Sequence, residues 1–235
     1  MIKGTPKKSY NAFEEELNQL IGSYYESYGL EYYYHQLHDT FSKSEAAIVK
    51  YADDYLNMFN KEDDEVKDSI ERYDPEHLLK STPLVDTLRK SYFITAHSEF
   101  ESIWKEVITI YNTHFTSSPK PIISLNDKYL IHSSFSATNL LDKVVSNHQV
   151  LISYNYIRNK IVHQKAVTTS PEYQTMLTQI QSGKIRHLRN EVDGTNAQFF
   201  IEDIQFVKDY TGYIIGFLTD IVETSYNDRQ HGQPT

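Results

Sequence analysis

An arginine, an asparagine and a histidine lie close together in the second half of the chain. Arg158 is followed at once by Asn159, and His163 comes four residues later. No Asp or Glu occurs from 143 to 170, although the chain carries 32 acidic residues against 23 lysines and arginines, a formal net charge of −9. Positive side chains without neighbouring acids favour the binding of a polyanion. The run therefore predicts a small basic site in an otherwise acidic protein.

The residues around this run predict a helix, since neither Gly nor Pro occurs from 143 to 170. At about 100° per residue, its apolar residues fall in one narrow sector, which predicts a core face. The opposite sector is predicted to face outward. Arg158 and His163 lie at its two edges with Asn159 between them, so both side chains can reach one phosphate. The core sector holds Val150, Tyr154, Ile157 and Ile161, and the outward sector also holds Asn155.

Two apolar residues, Ile152 and Val162, fall on the same predicted outward face. Water is a poor environment for them, so they indicate that a second molecule packs on this face.

The segment 155–163, Asn-Tyr-Ile-Arg-Asn-Lys-Ile-Val-His, resembles the Arg-x(4 to 6)-His signature of HEPN-domain proteins. Arg72 and His77 fit the same spacing, but Asp74-Pro75 lies between them and would break a helix. The resemblance covers roughly residues 82–225. It implies an all-α bundle that dimerises with two copies of the motif facing each other across a cleft.

Many HEPN proteins are metal-independent endoribonucleases of toxin–antitoxin, abortive-infection and antiviral systems. The resemblance implies that the ribose 2′-hydroxyl attacks the adjacent phosphate and leaves a 2′,3′-cyclic phosphate and a 5′-hydroxyl. His163 would be the general base or acid, and Arg158 would bind the scissile phosphate. Asn159 would orient the histidine or the phosphate. The implied partners are RNA, a second copy of the chain across the Arg158–His163 face, and an antitoxin or regulatory protein; no cofactor or metal is implied.

Four further residues are assigned around this motif. Lys160 and Lys165 are expected to hold flanking RNA phosphates. Glu99 or Glu101 is the candidate for an accessory acidic residue on a neighbouring helix, the alternative being a surface ion pair for each. A different class of function stays open as well, namely a catalytically inactive HEPN-like module for protein interaction or nucleotide binding, or a scaffold protein whose motif is coincidental.

Composition supports a helical chain. It has only 8 Gly and 7 Pro among 235 residues, and it has no Cys, which excludes disulfides, thiolate metal sites and thiol nucleophiles. No apolar run reaches the length of a membrane span, and no secretion signal is visible. We therefore expect a cytoplasmic protein that does not engage a membrane.

We expect three parts in the chain: a helical, Tyr-rich and acidic N-terminal extension (1–81), a HEPN-like helical domain (82–225) and a polar tail (226–235). Helices are predicted over 9–60, 82–111, 137–166, 171–181 and 202–224. Asp193-Gly194 predicts a small β-hairpin within 186–201.

The N-terminal extension leaves two interpretations open. Its tyrosines, at helical spacing, indicate either a packing surface or a platform for stacking bases. His35 and His38, three residues apart, indicate a surface pair or two ligands of a metal. The tyrosines are Tyr24, Tyr25, Tyr28, Tyr32, Tyr33 and Tyr34.

Overall fold

A computed structural model describes residues 12–13, 15–20, 30–59, 83–115, 140–163, 169–194 and 196–230. These residues are mostly helical, with a single two-stranded antiparallel sheet among them, which confirms the predicted helical class with its hairpin. Residues 12–13 and 15–20 are helical too. The elements are α1 (Leu30–Phe59), α2 (Pro83–Phe115), α3 (Leu140–His163), α4 (Pro171–Gln181), β1 (Leu188–Asp193), β2 (Asn196–Ile201) and α5 (Gln205–Gln230).

The start and end of α4 follow from local chemistry. The Ser170 hydroxyl accepts a hydrogen bond from the backbone N–H of Tyr173 at 3.1 Å, and Pro171 occupies the first turn, where its missing N–H costs nothing. Gly183 follows the end of the helix with a φ of 71°, a conformation that glycine adopts without strain. The predicted bounds of this helix are confirmed.

The hairpin forms where Asp193-Gly194 predicted it. β1 and β2 pair in antiparallel register, with Asp193 opposite Asn196 at the turn. Gly194 has a φ of 57°, which matches the positive φ that tight hairpin turns require.

Some helix ends differ from the prediction. α2 continues to Phe115 instead of ending near Tyr111, and α5 continues to Gln230. Residues 226–230, expected in a polar tail, therefore belong to the last helix. The Arg72–His77 match lies outside the described residues.

One apolar core joins the helices. Phe13 and Leu17 are fully buried and belong to the same cluster as Trp104, Phe217 and their neighbours. The hydroxyl of Tyr34 donates to the carbonyl of Ala96 at 3.3 Å inside this core. The described parts of the first 81 residues thus share the core of the rest of the chain.

Arg89 of α2 ties three elements together. Its Nε donates to Glu45 Oε2 of α1 at 3.0 Å, and its Nη1 donates to the carbonyl oxygens of Ile201 and Glu202 at 3.0 and 2.6 Å. Asp86 on the same helix accepts a hydrogen bond from the N–H of Ile201 at 3.0 Å. The end of β2 is therefore fixed to α1 and α2 by charged side chains.

Candidate functional site

The candidate site lies on α3, a helix with several neighbouring elements. α3 contacts α2, α4, α5 and β2. Its predicted core residues Val150, Tyr154 and Ile157 are buried, as expected. Asn155 on the opposite side is buried as well, with 3% of its surface exposed, so the predicted outward face is wrong along this part of the helix.

The physical reason is that Asn155 faces His97 of α2, while α4 packs against another side of α3, and a one-sided periodicity cannot reveal this. The rings of Tyr156 on α3 and Tyr173 on α4 lie 6.0 Å apart. From 150 to 160 most side chains of α3 are therefore buried, whereas Val162 and His163 at its C-terminal end are exposed.

Ile152 does not fit its predicted role as a dimer contact. It is 3% exposed, so it already packs within its own chain. Val162 does remain available, with 42% of its surface exposed near the C-terminal end of α3.

The structure describes one of the two lysines that were expected to hold RNA phosphates. Lys160 is only 8% exposed, and its ammonium lies 5.5 Å from the centre of the Tyr156 ring, an arrangement that gives a favourable cation–π contact. It is therefore not the open phosphate-binding group that we predicted. Lys165 lies outside the described residues.

Arg158 and Asn159 form a local pair. Arg158 Nη1 donates to Asn159 Oδ1 at 2.9 Å, and Arg158 Nη2 lies 4.0 Å from Glu101 Oε2 on α2. Arg158 Nε is buried and has no hydrogen-bond partner among the residues that the structure describes. The Arg158 side chain is 24% exposed. The guanidinium is thus held at a half-buried position, with part of its surface open to solvent.

The two acidic candidates on α2 lie in different surroundings. Glu101 faces Arg158, whereas Glu99 lies near Tyr33 of α1, where its charge adds to burial in raising the pKa of the tyrosine hydroxyl. Positions 99 and 101 differ by about 200° around a helix, so they cannot serve one site. The structure brings Glu101 to the motif, and the acid-free stretch of sequence has an acid beside it in space.

His163 is the last residue of α3, and its side chain is exposed. It lies five positions after Arg158, which corresponds to about 7.5 Å along the helix axis. The arginine and the histidine therefore lie at the same end of α3, but they do not form a compact pair within one chain.

Behind the motif lies a buried polar cluster that the sequence did not predict. His97 of α2 is 1% exposed, and its Nδ1 lies 2.8 Å from the hydroxyl oxygen of Tyr210 on α5. Burial, and to a lesser extent the charge of Arg158, lower the pKa of His97 to about 3, while a hydrogen bond with Asn155 opposes the shift. The one sequence signal was the spacing of His97 and Glu101, which are one helical turn apart.

The His and Tyr residues of α1 have separate environments. His35 lies 3.8 Å from Asp39, and His38 Nε2 lies 3.0 Å from the Ser42 hydroxyl. Across the part of the chain that the structure describes, no three His, Cys, Asp or Glu residues are grouped so that they could hold a metal ion. The tyrosine run divides as well, since Tyr34 is buried while Tyr32 and Tyr33 are exposed.

Comparison of the chain with protein-family models, with curated proteins and with solved structures found no match. None of the described helices is both long enough and apolar enough to cross a membrane.

Proposed function

We propose that this protein is a metal-independent endoribonuclease of the HEPN type that acts as a homodimer. The observation that carries the proposal is the arrangement at the end of α3. There the partly exposed guanidinium of Arg158 is held by Asn159, and the exposed imidazole of His163 lies at the same end of the helix. RNA cleavage needs a cation that binds the phosphate and a group that accepts or donates a proton.

In the proposed reaction, a ribose 2′-hydroxyl loses its proton to one His163 and its oxygen attacks the adjacent phosphorus. The bond from phosphorus to the 5′-oxygen breaks, and that oxygen takes a proton from an acid. The products are a 2′,3′-cyclic phosphate and a 5′-hydroxyl. Arg158 donates hydrogen bonds to the phosphate oxygens and stabilises the negative charge that grows on them in the transition state.

The reaction needs a base and an acid, and each chain offers one histidine at this end of α3. A dimer that joins two such ends supplies both. The exposed Val162, next to His163, is the apolar residue that fits this contact. Glu101 keeps the guanidinium in place until a phosphate binds, because a carboxylate 4.0 Å away attracts it.

The biological role that fits this chemistry is a cytoplasmic toxin or abortive-infection effector, restrained by an antitoxin or another regulatory protein. An inactive module for protein interaction or nucleotide binding is the second candidate. The proximity of Glu101 favours it, since an acid beside Arg158 offsets the charge that a phosphate would seek.

The test is cleavage of single-stranded RNA and transfer RNA by the purified protein in EDTA. We expect the wild type to produce fragments with 2′,3′-cyclic phosphate ends, detected by mass spectrometry. Arg158→Ala and His163→Ala should each lower kcat at least a hundredfold, because each removes a group that acts on the transition state.

Two surface residues provide matched controls. His35→Ala removes another exposed histidine, and Arg186→Ala removes another exposed arginine. Both should cleave RNA within twofold of the wild type. Equal cleavage by all variants, or none by any, would contradict the proposed enzyme and favour the inactive module.

A further inference from the structure

The polar groups behind the motif are arranged as two successive pairs between α2 and α3. Nearest the centre of the protein, His97 faces Asn155, and we call these two the inner pair. One helical turn further along each helix, Glu101 faces Arg158 at 4.0 Å, and we call these two the outer pair. The spacings of four residues on α2 and three on α3 place both pairs on facing sides of the two helices.

The inner pair is enclosed by the apolar core. His97 and Asn155 are 1% and 3% exposed. The ring of Phe93 lies 5.8 Å from that of His97, and Phe100 lies 6.3 Å from it. Polar side chains in such surroundings cost stability unless their hydrogen bonds are satisfied, and an apolar residue would pack there more simply. When their hydrogen bonds are satisfied, such buried polar groups restrict the packing of the core to one arrangement.

A third helix, α5, contacts the inner pair through Tyr210. Tyr210 of α5 is fully buried, and its hydroxyl lies 2.8 Å from His97 Nδ1. Burial raises the pKa of this hydroxyl, with lesser contributions from Tyr34, Tyr154 and Glu101, so it keeps its proton and can donate it to Nδ1. The imidazole then carries its proton on Nε2, on the side of Asn155, although Nε2 makes no hydrogen bond of normal geometry. The chain of donors runs from Tyr210 through His97 towards Asn155.

The outer pair depends on this arrangement. Arg158 has one hydrogen bond among the described residues, to its neighbour Asn159, and a long ion pair with Glu101. Within the same residues, its buried Nε has no hydrogen-bond partner. Asn159 and Glu101 are themselves partly exposed, so the position of the guanidinium also depends on how the helix surface beneath it is held. Asn155, one turn before Arg158, lies on this surface and faces His97 of α2.

We propose that His97, capped by Tyr210, is a positioning residue that fixes Asn155 and thereby holds the guanidinium of Arg158 at the end of α3. The effect on RNA cleavage rests on the proposed function, whereas the effect on Arg158 itself does not. The imidazole suits this task because it bridges a donor on one side and an acceptor on the other. It must be neutral to do so, since a second positive charge would repel Arg158.

The experiment follows the Nε–H group of each arginine by NMR, with the Arg158 signal assigned by its loss in Arg158→Lys. In the wild type the buried Arg158 Nε–H should exchange slowly with solvent. Tyr210→Phe and His97→Leu should each speed that exchange at least tenfold. His97→Gln should keep the wild-type rate, because its amide can also accept from Tyr210 and donate to Asn155.

Tyr92→Phe is the matched control. It removes another fully buried tyrosine hydroxyl on α2, one that has no hydrogen-bond partner among the described residues, and it should leave Arg158 exchange unchanged. Thermal unfolding measured by circular dichroism identifies variants that fail to fold. If Tyr210→Phe is among them, the comparison of His97→Leu with His97→Gln decides.

These experiments distinguish failure of the positioning role of His97 from failure of the proposed nuclease. Unchanged exchange of Arg158 in Tyr210→Phe and His97→Leu, or equal acceleration in Tyr92→Phe, overturns the positioning role whatever the enzyme does. If the exchange rates change as expected but the protein cleaves no RNA, the positioning role is upheld and the proposed nuclease is contradicted. In an active enzyme, His97→Leu should lower kcat at least tenfold with a KM change below threefold, and His97→Gln should restore kcat.

Discussion

Among single residues, His97 has the most direct consequence for stability. Its imidazole is buried next to Arg158, and its pKa lies near 3. An imidazole of an unfolded chain has a pKa of about 6.5, so between these values the unfolded chain binds the proton and the folded protein does not. The free energy of unfolding therefore falls as the pH falls through this range.

We predict that this histidine alone removes about 2 to 3 kcal/mol of stability between pH 7 and pH 4.5. His97→Gln has no group to protonate at this position, so its free energy of unfolding should depend less steeply on pH. Urea denaturation of both proteins at pH 7, 5.5 and 4.5 measures the difference. The control is His35→Gln, whose side chain is exposed, and it should follow the wild type. Parallel curves for wild type and His97→Gln would show that His97 is accessible to protons in the folded state.

Among the secondary structure elements, α1, α2 and the end of β2 are joined through the charged side chain of Arg89. Arg89 is 7% exposed, and its guanidinium binds Glu45 on α1 and the backbone carbonyls of Ile201 and Glu202 at the end of β2. A buried ion pair contributes little when compared with an apolar pair, but the loss of one partner leaves the other charge buried without compensation.

Arg89→Met keeps most of the aliphatic length and leaves Glu45 without its partner. We expect it to lower the free energy of unfolding by about 3 kcal/mol, measured by urea denaturation at pH 7. Arg186→Met is the control, because Arg186 is exposed and makes one hydrogen bond, to the carbonyl of Gly183. A loss below about 1 kcal/mol in Arg89→Met would mean that water replaces the missing donors.

Some of these elements were predictable from the sequence alone, whereas the way they pack was not. Ser170-Pro171 and Asp193-Gly194 fix backbone geometry through their own chemistry, so α4 and the hairpin were predictable. The burial of Ile152 was not, because several elements pack against α3, and the periodicity of one helix cannot show how many sides are covered.

Pairings between distant residues were equally hidden. Arg89 and Glu45 are 44 residues apart, and His97 and Tyr210 are 113 residues apart. The sequence supplied the arginine, asparagine and histidine of the motif, together with Glu101 as one of two acidic candidates. It gave no sign of which histidine is buried, because burial depends on the helices that surround it.

For the molecule as a whole, the proposed function depends on a second copy. Val162 is the exposed apolar residue beside His163, and a dimer contact that brings two such ends together should bury it.

We predict that the wild type is a dimer in solution and that Val162→Glu is largely monomeric, because two carboxylates would meet in an apolar contact. Sedimentation equilibrium measures both. Val192→Glu on the hairpin is the matched control, since Val192 is 56% exposed, and it should remain dimeric. A monomeric wild type, or a dimeric Val162→Glu, would exclude a composite site at the end of α3.

His97 and Tyr210 are far apart in the sequence, so their contact forms late during synthesis. A ribosome makes α2 and α3 before α5, so the emerging chain has both histidines and Arg158 well before it has the hydroxyl that caps His97. Until α5 has folded against α2 and α3, the inner pair lacks its contact with Tyr210. The arrangement proposed to hold Arg158 is thus completed late in synthesis, which in the proposed nuclease would delay any attack on the RNA around the ribosome.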